Sequence, residues 1–191
     1  MKHSPFTAIY DANVLYPAPL RDFLMNLALT GIYRARWSTK IHDEWKRNLL
    51  LNRPDLTLEQ VDRTSRRMDA AVPDALVTDY ESLVEGLDLP DKDDRHVLAA
   101  AIKCNASVIV TFNLKDFPET ALDVFDIEPL HPDDFIADLW DLDKAAVLEA
   151  AQRQRMSWKK PPHSVQQYLD RLLQQKLPES VKLLSEFKFL L

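Results

Sequence analysis

Four carboxylates, Asp11, Glu44, Asp94 and Asp116, are the residues whose type and setting can do chemistry. Asp11 directly follows the apolar run Phe6-Thr-Ala-Ile-Tyr10, and Asp116 closes Thr111-Phe-Asn-Leu-Lys-Asp116 just after Val108-Ile-Val110. Residues at the carboxyl ends of strands gather at one edge of an open α/β sheet. Asp94 ends the acid run Asp91-Lys-Asp93-Asp94 in the first turn of an apolar helical pattern. The helix dipole favours one or two acids there; three in four residues repel one another, and a bound cation would relieve that. Glu44 lies mid-helix beside Ile41, Trp45 and Leu49, with Asp43 as a rival acid. Each has a plainer reading alone: Asx turns for Asp11 and Asp116, capping for the acid run, a surface ion pair for Glu44. Their joint placement points to one pocket. Carboxylate oxygens suit Mg2+ or Mn2+. Such an ion lowers the pKa of a bound water and stabilises an in-line phosphoryl transition state. Asn13, Thr111 and Asn113 stand close in sequence to the acids as outer or substrate-contacting groups.

The elements that must position these groups follow from hydrophobic period and caps. Strands are expected over 6–10, 33–37, 75–78, 107–112 and 125–130. Helices are expected over 19–30, stopped by Gly31; from Ser38 or Thr39 to Asn52; from the capping box Thr57-Leu-Glu-Gln60 to Ala71; and over 92–104. Alternating strands and helices imply a parallel sheet covered on both faces. From His131 the pattern is all helical, with expected starts at Pro132, Asp143, Ser164 and Pro178. The organisation is therefore 1–131 as an α/β domain and 132–191 as a helical C-terminal extension.

Composition removes several function classes. With only Gly31 and Gly86, no Gly-rich phosphate loop exists. A single cysteine, Cys104, excludes a disulfide framework and a Cys-based zinc site. No apolar run reaches membrane-spanning length. The start Met1-Lys2-His3-Ser4-Pro5 has no leader pattern, so a cytoplasmic protein is expected. The net charge of −6 argues against a non-specific nucleic-acid coat, but not against a metal site, whose ion reverses the local field. Charge is uneven: residues 34–67 carry nine Lys/Arg against five Asp/Glu, among them Arg47, and this stretch is the expected path for a phosphate backbone. A phosphatase with Asp11 as nucleophile would want a second Asp where Asn13 stands. His96, two residues after Asp94 and so on another helix face, is read as structural or surface. The four tryptophans are read chiefly as core or interface residues, with base stacking as the alternative; the C-terminal leucine stripe is read as core or, equally, as a grip for a partner's helix.

Taken together, Ile9-Tyr-Asp11-Ala-Asn13-Val-Leu, Ile41-His-Asp-Glu44, Asp94-Arg-His-Val-Leu-Ala-Ala-Ala and Val110-Thr111-Phe-Asn113-Leu-Lys-Asp116-Phe resemble PIN-domain nucleases, more narrowly the VapC-type toxins of toxin–antitoxin modules. The resemblance covers about residues 6–130. It implies a PIN-like three-layer α/β/α sandwich with a small parallel sheet, here followed by C-terminal helices. It implies Mg2+- or Mn2+-dependent cleavage of RNA, with Asp11, Glu44, Asp94 and Asp116 lining one metal pocket; beside that set, Asp93 is the candidate for a second, weaker ion. A VapB-type antitoxin and a homodimer are the implied partners. Asn113 stands where many relatives carry another acid, which leaves the second metal position open. A catalytically silent PIN-like module that only binds RNA or protein is the alternative reading.

Overall fold

The computed structural model describes residues 5–159 and 161–191. Residues 1–4 of the start considered above for a leader lie outside it. The chain forms two compact units, one of residues 5–16 and 33–131 and one of 17–32 and 132–191.

In the first unit, β1 (Thr7–Tyr10) runs into α1 (Ala12–Leu15). Helix α2 (Ala18–Ala28) belongs to the second unit. The chain returns as β2 (Arg34–Arg36), α3 (Thr39–Asn52), α4 (Leu58–Ala71) and α5 (Glu81–Val84). A 3-10 turn over Lys92–Asp94 then leads into α6 (Arg95–Lys103), followed by β3 (Val108–Val110), α7 (Glu119–Leu122) and β4 (Glu128–Leu130).

The sheet has the order β2-β1-β3-β4 and is parallel throughout. Every residue of β1 and β3 is buried, as expected of central parallel strands covered on both faces. This is the α/β architecture expected from the alternation of strands and helices. Because the chain leaves β1 to one side for β2 and later adds β3 on the other, the connections diverge between β1 and β3. Ligands of open α/β sheets bind at the carboxyl end of such a switch point.

Caps at three helix starts were legible in the sequence. Ser38 accepts from the Ile41 N–H at 3.2 Å, and complete capping boxes form at Thr57/Gln60 and Ser164/Gln167. Three expectations are corrected. Residues 75–78 form no strand of the sheet; Leu76 makes one isolated bridge to Trp37. The left-handed backbone of Asp74 and Asp79 (φ 61° and 59°) turns the chain away at both ends. The strand expected over 125–130 begins only at Glu128, because a 3-10 turn occupies Asp123–Phe125 and Asp126 is left-handed. The helix expected from Lys92 starts as a 3-10 turn, with Asp91 accepting from the Asp93 N–H at 2.9 Å.

The second unit packs α2 with α8 (Pro132–Leu142), α9 (Lys144–Ser157), α10 (Val165–Leu173) and α11 (Pro178–Ser185). Leu169, Leu172, Leu177 and Leu184 are core here. Asp133, almost wholly buried on α8, caps α11 from outside it: its carboxylate accepts from the Glu179 N–H at 2.8 Å, the Ser180 N–H at 2.8 Å and the Ser180 hydroxyl at 2.6 Å. Charge-assisted bonds to the positive end of a helix are among the stronger polar contacts. Asp133→Ala should therefore cost about 3 kcal/mol, the penalty of stranding buried donors. Urea unfolding followed by circular dichroism checks this; a loss indistinguishable from zero would remove the role.

Candidate active site

Asp11 and Thr111 extend the sheet ladder by one residue each at the switch point. The Asp11 N–H donates to the Val110 carbonyl (3.1 Å) and the Thr111 N–H to the Leu130 carbonyl (2.9 Å). The Thr111 hydroxyl donates to Asp11 Oδ2 at 2.7 Å, the Asn13 amide donates to the same oxygen at 2.6 Å, and the Ala12 N–H donates to Asp11 Oδ1 at 2.6 Å. Asn13 also donates to the Thr111 hydroxyl at 3.0 Å and accepts from the Phe112 N–H at 3.0 Å, stitching the ends of β1 and β3 together. The Asn113 N–H donates to the Thr111 hydroxyl at 3.0 Å. The Asp11 carboxylate is thus held in one rotamer by three residues, Thr111, Asn13 and Ala12. Burial raises its pKa, partly offset by the bonds from Thr111 and Ala12.

Glu44 is positioned by the rotation of α3. Ile41, His42 and Trp45 are buried on one face of this helix. The Trp45 indole donates to His42 Nδ1 at 2.9 Å, so the imidazole proton sits on Nε2, 3.0 Å from Asp69 of α4. Trp37 donates to the same Asp69 oxygen at 2.7 Å. This chain of buried polar contacts fixes α3 against α4 and sends the two acids to different places. Asp43 is exposed and lies 3.1 Å from Lys46, whereas Glu44 lines a cavity of about 500 Å³.

Asp11, Asn13, Glu44, Arg47, Asp93, Asp94 and Asn113 all line that cavity. Asp116 is not among its lining residues, but its charge reaches Asp94. Asp94 is pushed up to about 7, first by burial and then by the carboxylates of Asp11, Asp91, Asp116 and Glu44. Among the described residues, no three acidic or histidine side chains form a preformed metal cage. The acidic groups that face the cavity offer carboxylate oxygens, hard donors of the kind divalent cations take.

His96 was missed as a neighbour of the site. It is buried on α6, with Nε2 2.8 Å from Glu44 Oε1. The spacing that separates it from Asp94 sends Asp94 to the cavity and His96 inward, behind Glu44. The basic stretch is less available than its charge count suggests. Lys46 pairs with Asp43 and Asp62, Arg53 with Asp55 and Arg63 with Glu59. Trp37, Trp45 and Trp140 are buried, and Trp158 packs against His163 and Tyr168.

Among the described residues, no helix is long and apolar enough to cross a membrane. The family model of the VapC50 C-terminal domain matches residues 132–186. A curated protein of Mycobacterium tuberculosis (strain ATCC 25618 / H37Rv), named "Putative ribonuclease VapC50", is 42% identical over 96 residues, covering 50% of this chain. The match spans 56% of that relative's length. No solved structure matches the chain. The PIN-domain model matches residues 7–115, more than half of the 191 and the whole stretch from β1 to the turn before Asp116; the chain belongs to the PIN-domain family.

Proposed function

We propose that this protein is a divalent-metal-dependent endoribonuclease acting as the toxin of a VapBC-type module. The observation that carries the reading is the meeting of Asp11, Glu44, Asp93 and Asp94 in one cavity at the sheet's switch point. The relative's name adds ribonuclease as the reaction class. Crowded oxygen donors, one of them lifted to about 7 by burial and then by its neighbours' charge, fit Mg2+ or Mn2+ better than a softer ion. When bound, such an ion supplies an activated water and neutralises charge on the phosphate under attack.

The chain's own residues do the rest. Asp11, Asp94 and Asp116 are the proposed ligands, Glu44 completes the set or orients the attacking water, and Asp93 serves a weaker second position. Thr111 and Asn13 hold the Asp11 carboxylate still, so that ordering it costs nothing when substrate arrives. Arg47 on the rim of the cavity draws the RNA phosphate towards a site that would otherwise repel it, and Asn113 faces the same strand. We assign the nuclease role to residues 1–131 and an auxiliary role to 132–191. A cognate VapB-type antitoxin and a homodimeric, cytoplasmic state belong to the same reading.

The test is cleavage of single-stranded RNA by the purified chain. Activity should vanish in excess EDTA and return with Mn2+ or Mg2+; cleavage that persists in EDTA would overturn the proposal.

A further inference from the structure

The cavity is not acidic all round. Its other wall is built from α1 and α3 and carries Tyr16, Asn48 and Asn52. Glu44, Asn48 and Asn52 are spaced by four and so form one stripe along α3. The stripe starts at the acids and climbs about 12 Å of helix, at about 1.5 Å per residue. Its amides have capacity to spare. Asn52 spends one N–H on the Asn48 carbonyl (2.9 Å), and the Asn48 amide has no hydrogen-bond partner among the described residues. No apolar side chain interrupts this stripe. Leu50, Leu51 and Leu58 line an adjoining depression with Asp43 and Lys46, which meets the cavity at Arg47.

We infer that Tyr16, Asn48 and Asn52 form a subsite for one unpaired RNA base, placed beside the phosphate that the acids would hold. The inference deepens the nuclease reading and rests on it for the location of that phosphate. Carboxamides present a donor and an acceptor together, the pattern that reads a base edge. A tyrosine offers a ring on which any base can stack. Base edges are open to side chains only where the RNA is single-stranded, because the major groove of an A-form duplex is too deep and narrow. A cavity of about 500 Å³ lies within the range of small-ligand sites. The substrate class is therefore a loop or single strand with a preferred base next to the scissile bond, and the two asparagines set the preference.

The two kinds of residue have different signatures. The full-length chain is titrated in Ca2+ against short labelled single-stranded oligoribonucleotides of A, C, G or U, read by fluorescence anisotropy. The wild type should favour one base by about tenfold, the worth of one good amide–base pair. The Asn48→Ala/Asn52→Ala double variant should compress that preference to within about twofold. Both positions are exposed and helical, so folding should survive, and circular dichroism checks it. Tyr16→Ala should weaken all four oligonucleotides together, by about tenfold, because stacking tolerates any base. No preference in the wild type, an unchanged preference in the double variant, or equal affinity for duplex RNA would each overturn the inference. A wild type that shows the preference but never cleaves in Mn2+ would remove the nuclease reading and leave the subsite standing.

Discussion

Asp11→Asn should abolish RNA cleavage, with a loss of at least about 10³-fold, since the several kcal/mol a metal contributes to charge stabilisation convert to that factor. Mn2+ affinity, followed by titration calorimetry, should fall with it. The substitution is nearly isosteric, and the new side chain can still accept from the Ala12 N–H. The fold should therefore persist, and the loss can be read as chemistry. What changes is the charge and the partnership around Oδ2. The carboxylate accepts from both Thr111 and Asn13 there, and an amide nitrogen in that place would face the Asn13 amide donor to donor. The result would be a neutral and slightly displaced side chain at the point where β1 and β3 present their ends. Full activity in a clean preparation of this variant would sink the assignment of Asp11, whatever the remaining acids do.

Asp94→Asn should act on function and stability in opposite directions. Cleavage should be lost, yet the metal-free protein should melt higher than the wild type. In the folded chain Asp94 titrates near 7 rather than 3.8, chiefly because of burial and then because of Asp11, Asp91, Asp116 and Glu44. A raised carboxyl means that the folded state holds a proton the unfolded state has released. The metal-free wild type should then lose stability as pH rises from about 4 to about 7 and stay at the lower level above that. Taken at face value the change is worth about 4 kcal/mol. Solvent reaches this half-buried group and screens it, which leaves about 1–2 kcal/mol, or a few degrees in Tm. Thermal melts in EDTA at pH 8 should show the variant ahead, and the gap should narrow at pH 5, where the wild type has already taken up its proton. A variant that melts lower than the wild type at pH 8 would mean that the crowding of these carboxylates is not the strain inferred.

Most of the fold was legible because period and punctuation agreed. The run ending in Asp11, the capping box at Thr57 and the Pro starts of α8 and α11 each carry a local signal strong enough to survive packing. The segment 75–78 did not, because four apolar or β-branched residues read as a strand whether or not the backbone on either side can stay extended. Asp74 and Asp79 adopt a left-handed turn that their sequence permits but does not announce. In the site, Asp11, Asp94 and Thr111 could be placed from strand ends and a helix start. Glu44 could not be separated from Asp43, since one residue's rotation on α3 is decided by the buried contacts of His42, Trp45 and Asp69 across 27 positions of chain. The partner of Glu44 was hidden for the same reason. His96 meets it only after two helices have packed, and no spacing within α6 foretells that contact.

The grouping of α2 with α9 and α10 has a practical corollary for anyone cutting this gene. A fragment ending at His131 looks like a tidy module on paper, yet it would carry helix 18–28 without α9 and α10, leaving Leu20, Phe23, Leu24 and Leu27 stripped of partners. Gln154 of α9, whose amide donates to the Pro19 carbonyl at 2.7 Å, would be gone as well. The carboxyl-terminal third is thus stitched into the chain near its beginning. A shortened version would have to lose the segment between Pro17 and Ile32 too, or repaint it with polar residues, before it could be handled in water.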